Sequence, residues 1–207
     1  MSRLHPRFGV RDCQVTDPGD PYVYPGTSVL RNRFGITDPQ RLDRIERRLV
    51  VQRAREGIPG GTFDLSHLCA IHRHLFQDVY DWAGELRTVE ISRGRQQFQF
   101  RQFIVTGMAD VHRRLVAGNF LKRLSAGEFA KQSAVAIGDV NYIHPFREGN
   151  GRTQLQYLKL LALQAGHALD LGRIDQTAWI EASKLSHAAD YDSMAEAISR
   201  AITRSDQ

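Results

Sequence analysis

Apolar residues recur at three- and four-residue intervals through most of this chain, and capping residues punctuate the stretches. That pattern restricts the fold to packed helices. Asp38 stands before Pro39, an N-cap with proline at the first helical position, and Leu42, Ile45 and Leu49 keep helical spacing to about Arg55. A glycine- and proline-bearing loop at 57–61 follows. Asp64 opens a second helix, with Leu65, Leu68, Ile71, Leu75, Val79 and Trp82 in register, and Gly84 is read as its stop. A third helix is expected over about 102–117, carrying Phe103, Met108, Val111 and Leu115. Ser125 with Glu128 forms a capping box that opens a helix to about Tyr142. Another runs from about Gly151 to Gln164 and ends at Gly166. Asp175 and Asp192 are read as caps of two last helices.

Two stretches break the helical period. Residues 1–37 carry four prolines and four glycines, and Tyr22, Tyr24, Val29, Leu30 and Phe34 are expected to pin this extension onto a core. Residues 85–100 hold the β-prone Thr88–Ile91, the turn signal Arg93-Gly94-Arg95 and the alternating Gln97–Phe100. They predict one β-hairpin among helices.

At 207 residues the chain suits one domain with a small extension. Its mean hydropathy is −0.39. The longest apolar stretch, Leu158–Ala165, is interrupted by Lys159 and Gln164, so no membrane span is expected. The first residues lack an apolar secretory core, which points to the cytoplasm. Two cysteines, Cys13 and Cys69, make neither a disulfide framework nor a zinc site. The net charge of +5 rests on arginines scattered along the chain, with no basic run interleaved with aromatics. Direct nucleic-acid binding is not expected, whereas a small anion such as a nucleotide phosphate remains a candidate.

The residues able to do chemistry are contiguous: His144-Pro145-Phe146-Arg147-Glu148-Gly149-Asn150-Gly151-Arg152. A glycine-rich loop entering a helix aims backbone N–H groups at one spot and so receives an anion. Arg152 adds a charged fork for a phosphate. Glu148 is a hard oxygen ligand suited to Mg²⁺, and His144 accepts a proton near neutrality. Together these groups suit phosphoryl or nucleotidyl transfer. A Walker A loop is excluded, because Phe146 and Arg152 stand where it needs glycine and lysine. No paired helical histidines support a metalloprotease. Taken singly, His144 and Glu148 would be ordinary loop residues; their company is the argument. His67, His72, His74, His112, His167 and His187 show no ligand spacing and read as structural or surface residues, Arg93 and Arg95 as solvated turn charges, and Trp82 and Trp179 as core.

This stretch resembles the Fic-domain signature H-x-F-x-[DE]-G-N-G-R-x-x-R, whose first nine positions are met from His144 to Arg152. The chain is similar to short stand-alone Fic toxins also at Tyr22–Asn32 and Asp81–Arg87. The resemblance implies a mostly α Fic core over 38–207 with one β-hairpin flap, preceded by an extension over 1–37. It implies a protein adenylyltransferase that moves AMP from ATP, with Mg²⁺, to a hydroxyl of a target protein. His144 would be the base and Glu148 the Mg²⁺ ligand. Gly149, Asn150 and Gly151 would form the anion hole, Arg152 would hold the β-phosphate, and Phe146 would anchor the loop. The flap residues Val89, Glu90, Ile91, Ser92 and Arg93 would dock the target by strand pairing. The Gly-Asn-Gly-Arg ending fits AMP transfer, since the phosphorylating Doc branch has lysine at the Gly151 position.

The family's second arginine, which helps place the γ-phosphate, falls on Leu155. Gln154, Gln156 and Lys159 are candidates to replace it. The inhibitory pattern [ST]-x-x-x-E-[GN] is missing: Gln52–Gly57 lacks the hydroxyl residue and Thr177–Ala182 lacks the last position. This points to a separate small antitoxin protein that supplies an inhibitory helix, with the chain as the toxin of the pair. The resemblance suggests type II topoisomerase ATPase subunits as targets. Two other readings stay open: a Fic enzyme of altered donor use or weakened activity because of Leu155, and a non-catalytic anion-binding module.

Overall fold

A computed structural model of the chain describes residues 14–15 and 19–203. Cys13 and most of the first eighteen positions fall outside the described residues. Among the described residues 59% are helical, most of them in seven α-helices. α1 (Pro39–Glu56) starts at Asp38, whose side chain accepts the Arg41 N–H, and α2 (Leu65–Phe76) starts at Asp64, which accepts the His67 N–H. α3 (Ile104–Ala117) follows one 3₁₀ turn at Arg101–Phe103. α4 (Ala126–Ile143) has the expected capping box, with both Ser125 and Glu128 side chains engaged. α5 (Asn150–Ala165) ends at Gly166 in the left-handed region, φ 93°. Asp175 caps α6 (Gln176–Leu185) by accepting the Ala178 N–H. α7 (Asp192–Ala201) corrects the expectation: Tyr191 holds the cap position and Asp192 is the first helical residue, where its charge still meets the helix dipole favourably.

α4 is the spine. It packs against α3, α5 and α7, while α2 bridges α1 and α5. The fully buried Phe129, Ala134, Ile137 and Val140 of α4 meet a core that includes Leu158 and Leu161 of α5. α2 stops at Phe76, eight residues short of Gly84. Val79 and Tyr80 stay buried, but in turns whose N–H groups return to the Phe76 carbonyl. The apolar period therefore outlasts the helix.

The hairpin exists and is shorter than its signal. β2 (Ile91–Arg93) pairs antiparallel with β3 (Gln96–Gln97), Ser92 facing Gln97, across a turn with Gly94 at φ 58°. A third strand, β1 (Gln14–Val15), lies on the other edge of β2, with Val15 opposite Ile91. Residues 20–36 pack on the core through Val29, Leu30 and Ile36. The Asn32 side chain holds that segment, donating to the Leu30 and Ile36 carbonyls and accepting the Phe34 and Ile36 N–H groups. A second pair, β4 (Ala168–Leu169) with β5 (Ile202–Thr203), was not expected; two-residue strands carry no readable alternation. Cys69 is half-buried against the core, and burial pushes its thiol up to about 11. Among the described residues no helix is long and apolar enough to cross a membrane.

Candidate active site

The loop between α4 and α5 gathers the chemistry. His144 closes α4 in the left-handed region (φ 47°, ψ 61°), which turns its ring out of the helical path. Its Nδ1 lies 3.0 Å from the Asn141 carbonyl. A carbonyl only accepts, so Nδ1 carries the proton and Nε2 the lone pair. The ring is 5% exposed and stacks on Phe98 beyond β3, centroids 3.8 Å apart. Burial, with Arg93, Arg87 and His187 nearby, pushes its pKa down to about 3, although the Asn141 contact opposes this. The imidazole is thus neutral across the physiological range.

Gly149, at φ 83°, is the N-cap of α5. A side chain there would meet the Phe76 ring at 2.5 Å, so glycine is required on two counts. Asn150 spends its amide on the loop: Oδ1 accepts the Phe146 N–H at 2.9 Å and Nδ2 donates to the Phe146 carbonyl at 2.7 Å. Its backbone N–H, with those of Gly151 and Arg152, begins the helix, where donors lack intrahelical partners. Open space surrounds the Cβ position of Gly151. Phe146 is buried and stacks on His72, centroids 3.9 Å apart.

Arg152 lies over the Phe76 ring, with its charge center 4.6 Å from the centroid. Its Nη1 is 2.5 Å from Glu46 Oε1 and its Nη2 3.5 Å from Glu148 Oε1. Burial alone would lower its pKa; the two carboxylates outweigh that and hold it raised. Glu148 also accepts the Gly149 N–H through Oε1, and its Oε2 has no partner among the described residues. No cluster of three or more His, Cys, Asp or Glu that could bind a metal occurs among those residues. One carboxylate with an open oxygen suits Mg²⁺, which keeps waters and shares substrate phosphates.

Several contacts that build the site carry no signal in the sequence. Glu46 on α1 is buried and accepts the Tyr80 hydroxyl as well as pairing with Arg152. His72, read above as structural or surface, is wholly buried behind the loop: Nδ1 accepts the Gly84 N–H and Nε2–H donates to the Glu148 carbonyl. Arg87 donates through Nε to the His144 carbonyl and through Nη1 to the Val89 carbonyl, pairs with Glu90, and reaches the Gln99 carbonyl. Arg147 is held by Asp20 at 2.8 Å. Most of these links join residues far apart in sequence, which no local pattern can show.

The proposed docking residues are less open than their sequence suggested. β2 has β1 on one edge and β3 on the other, and Val89 and Ile91 are buried with Phe98. Glu90 accepts the Arg101 N–H. Leu155 is 2% exposed within the apolar core, and the Gln154 side chain donates to the Val140 carbonyl. Lys159 is exposed.

The family model of the Fic/DOC family matches residues 62–162. A probable protein adenylyltransferase, y4lH, of Sinorhizobium fredii is 41% identical over 184 residues, covering 88% of this chain and 96% of the relative. The chain belongs to the Fic/DOC family. The protein adenylyltransferase VbhT of Bartonella schoenbuchensis is 37% identical over 89% of this chain, which spans only 39% of that relative. The crystal structure of the BepC protein of Bartonella tribocorum with bound AMPPNP superposes with a TM-score of 0.81 at 28% identity, over 89% of this chain and 97% of that one. The mostly helical Fic fold with its small antiparallel hairpin is thereby established for this chain.

Proposed function

We propose that this chain is a protein adenylyltransferase that uses ATP. A neutral, buried histidine beside a glycine-capped helix N-terminus, with Arg152 and Glu148 on the same loop, is the observation that carries the reading. The curated relatives are named for that activity. In the transfer, a hydroxyl oxygen of the target protein attacks the α-phosphorus. The bond to the β-phosphate oxygen breaks, and pyrophosphate leaves. The hydroxyl proton passes to His144 Nε2, whose lone pair the Asn141 contact preserves. The N–H groups at 150–152 meet the phosphate oxygens at the positive end of α5, and Arg152 binds the β-phosphate. Glu148 would hold Mg²⁺, which neutralises phosphate charge when bound. Phe146 keeps the loop seated.

The partner is a protein bearing a serine, threonine or tyrosine. Type II topoisomerase ATPase subunits are the proposed class, docked along the hairpin. Because β1 occupies one edge of β2, the target strand either displaces β1 or adds beside β3. The missing inhibitory pattern supports a toxin restrained by a separate antitoxin helix, acting in the cytoplasm. The test uses the full chain with α-³²P-ATP, Mg²⁺ and host lysate, beside His144→Ala. A labelled band absent from the variant is expected. If no protein is labelled, the reading fails; if the label persists in the variant, the base is wrongly assigned.

A further inference from the structure

Glu46 is the buried carboxylate that the transfer chemistry leaves unused. It sits on α1, far in sequence from the loop, and is 4% exposed. Burying a charge is costly unless it is paired, and here both oxygens are engaged: Tyr80 donates to Oε2, and Arg152 stands 2.5 Å from Oε1. Glu148 also faces Arg152, four positions away in sequence, a spacing at which opposite charges attract. That contact is nevertheless long, 3.5 Å, against the ~2.7–2.9 Å of a charge-assisted bond. Arg152 is therefore drawn toward α1 rather than onto Glu148. Phe76 beneath the guanidinium keeps the fork in that plane. One guanidinium between two carboxylates leaves one negative charge, and the carboxylate with the uncommitted oxygen is Glu148.

We propose that Glu46 is a positioning residue: it holds Arg152 off Glu148, so that the arginine meets the phosphates while Glu148 stays open to Mg²⁺. Without the Glu46 charge, Arg152 closes on Glu148. The metal then competes with an internal ion pair, and the phosphates lose a fixed donor. The inference rests on the phosphate and metal roles given above to Arg152 and Glu148.

The experiment measures binding of a fluorescent ATP analogue to the full chain, with Mg²⁺ titrated, and needs no target protein. Wild type, Glu46→Gln, Arg152→Ala and the double variant are compared, with melting curves for each. Glutamine keeps the size and an acceptor but drops the charge. Loss of an outer partner of a metal site costs about 10–100-fold in metal affinity. Glu46→Gln is expected to raise the nucleotide Kd by about 10-fold and to move the Mg²⁺ midpoint to higher concentration. In the Arg152→Ala background it is expected to add nothing, because its effect runs through that side chain. An unchanged Mg²⁺ midpoint, tighter nucleotide binding or additive effects would overturn the proposal; a merely structural Glu46 would lower the melting temperature alone. Should Glu46→Gln fail to fold, Glu46→Asp keeps the charge but draws it back from Arg152. It is expected to shift the Mg²⁺ midpoint in the same direction, and no shift overturns the proposal. A wild type that does not bind the nucleotide sinks the phosphate reading itself, whereas binding indifferent to Glu46 sinks this inference alone.

Discussion

The tautomer of His144 decides what the site can do at a given pH. Nδ1–H is fixed on the Asn141 carbonyl, Phe98 covers one ring face, and burial favours the neutral ring. A base works when unprotonated, so a pKa pushed down to about 3 keeps it competent throughout the neutral and mildly acid range. The acid limb of kcat/KM for AMP transfer is expected below pH 5; a limb near the ordinary histidine value of 6.5 would refute the buried-base geometry. The motif around this residue was readable because nine informative positions run together, His144 to Arg152. Its supports were not. Nothing in the local sequence sets Glu46 apart from the other charges of α1, and His72 reads as a structural or surface histidine. Their partners, Arg152 and the Glu148 carbonyl, are brought to them only by packing of α1 and α2 on the core. Leu155 is the reverse case: the resemblance to the Fic signature marks it as a missing arginine, and the fold buries it.

Among the elements, the hairpin and the catalytic loop are joined through Arg87. Its side chain is fully enclosed and touches the His144, Val89 and Gln99 carbonyls and the Glu90 carboxylate. Its own N–H donates to the Pro145 carbonyl. Truncation would strip those carbonyls of their donor and Glu90 of its nearer cation. Arg87→Ala is expected to cost about 3–5 kcal/mol of stability. Amide hydrogen exchange at 91–97 is expected to rise with it, since the hairpin loses its tie to the loop. Unchanged exchange there would show that β1 and Phe98 alone hold the hairpin. The two element boundaries that sequence alone misplaces have different causes. The apolar period overstates α2 because Val79 and Trp82 continue it through a run of turns. The hairpin is shorter than its β-prone signal because Thr88 is taken by the Tyr22 hydroxyl and Glu90 by Arg87 and Arg101. Long-range polar contacts overrode local propensity in the hairpin.

At the scale of the whole molecule, two buried histidines tie folding to pH. His72 and His144 both have pKa values pushed to about 3, with burial as the leading cause. For His72 the geometry itself forbids protonation, because Nδ1 receives the Gly84 N–H and a second proton would face it. The unfolded chain takes up these protons near pH 6.5 and the folded chain does not. Stability is therefore full above that value and falls as pH drops toward 3. Each group contributes a slope of up to ~1.4 kcal/mol per pH unit, so the pair removes roughly 4 kcal/mol by pH 5, a large share of a typical ~5–15 kcal/mol. His187, lowered by burial and Arg93, acts in the same direction. Paired carboxylates such as Asp78 beside Arg53, and Glu128 in its capping box, also weaken the fold in acid. They do so only as pH falls past their ordinary values of 3.8 and 4.5, below this window. Melting temperatures between pH 7 and 5 thus report the histidines. A steep decline is expected for the wild type. His72→Phe keeps the aromatic stack on Phe146 and abolishes one titration, so its melting temperature is expected to start lower and decline less steeply. Parallel declines for the two proteins would show that His72 takes no part in the acid sensitivity.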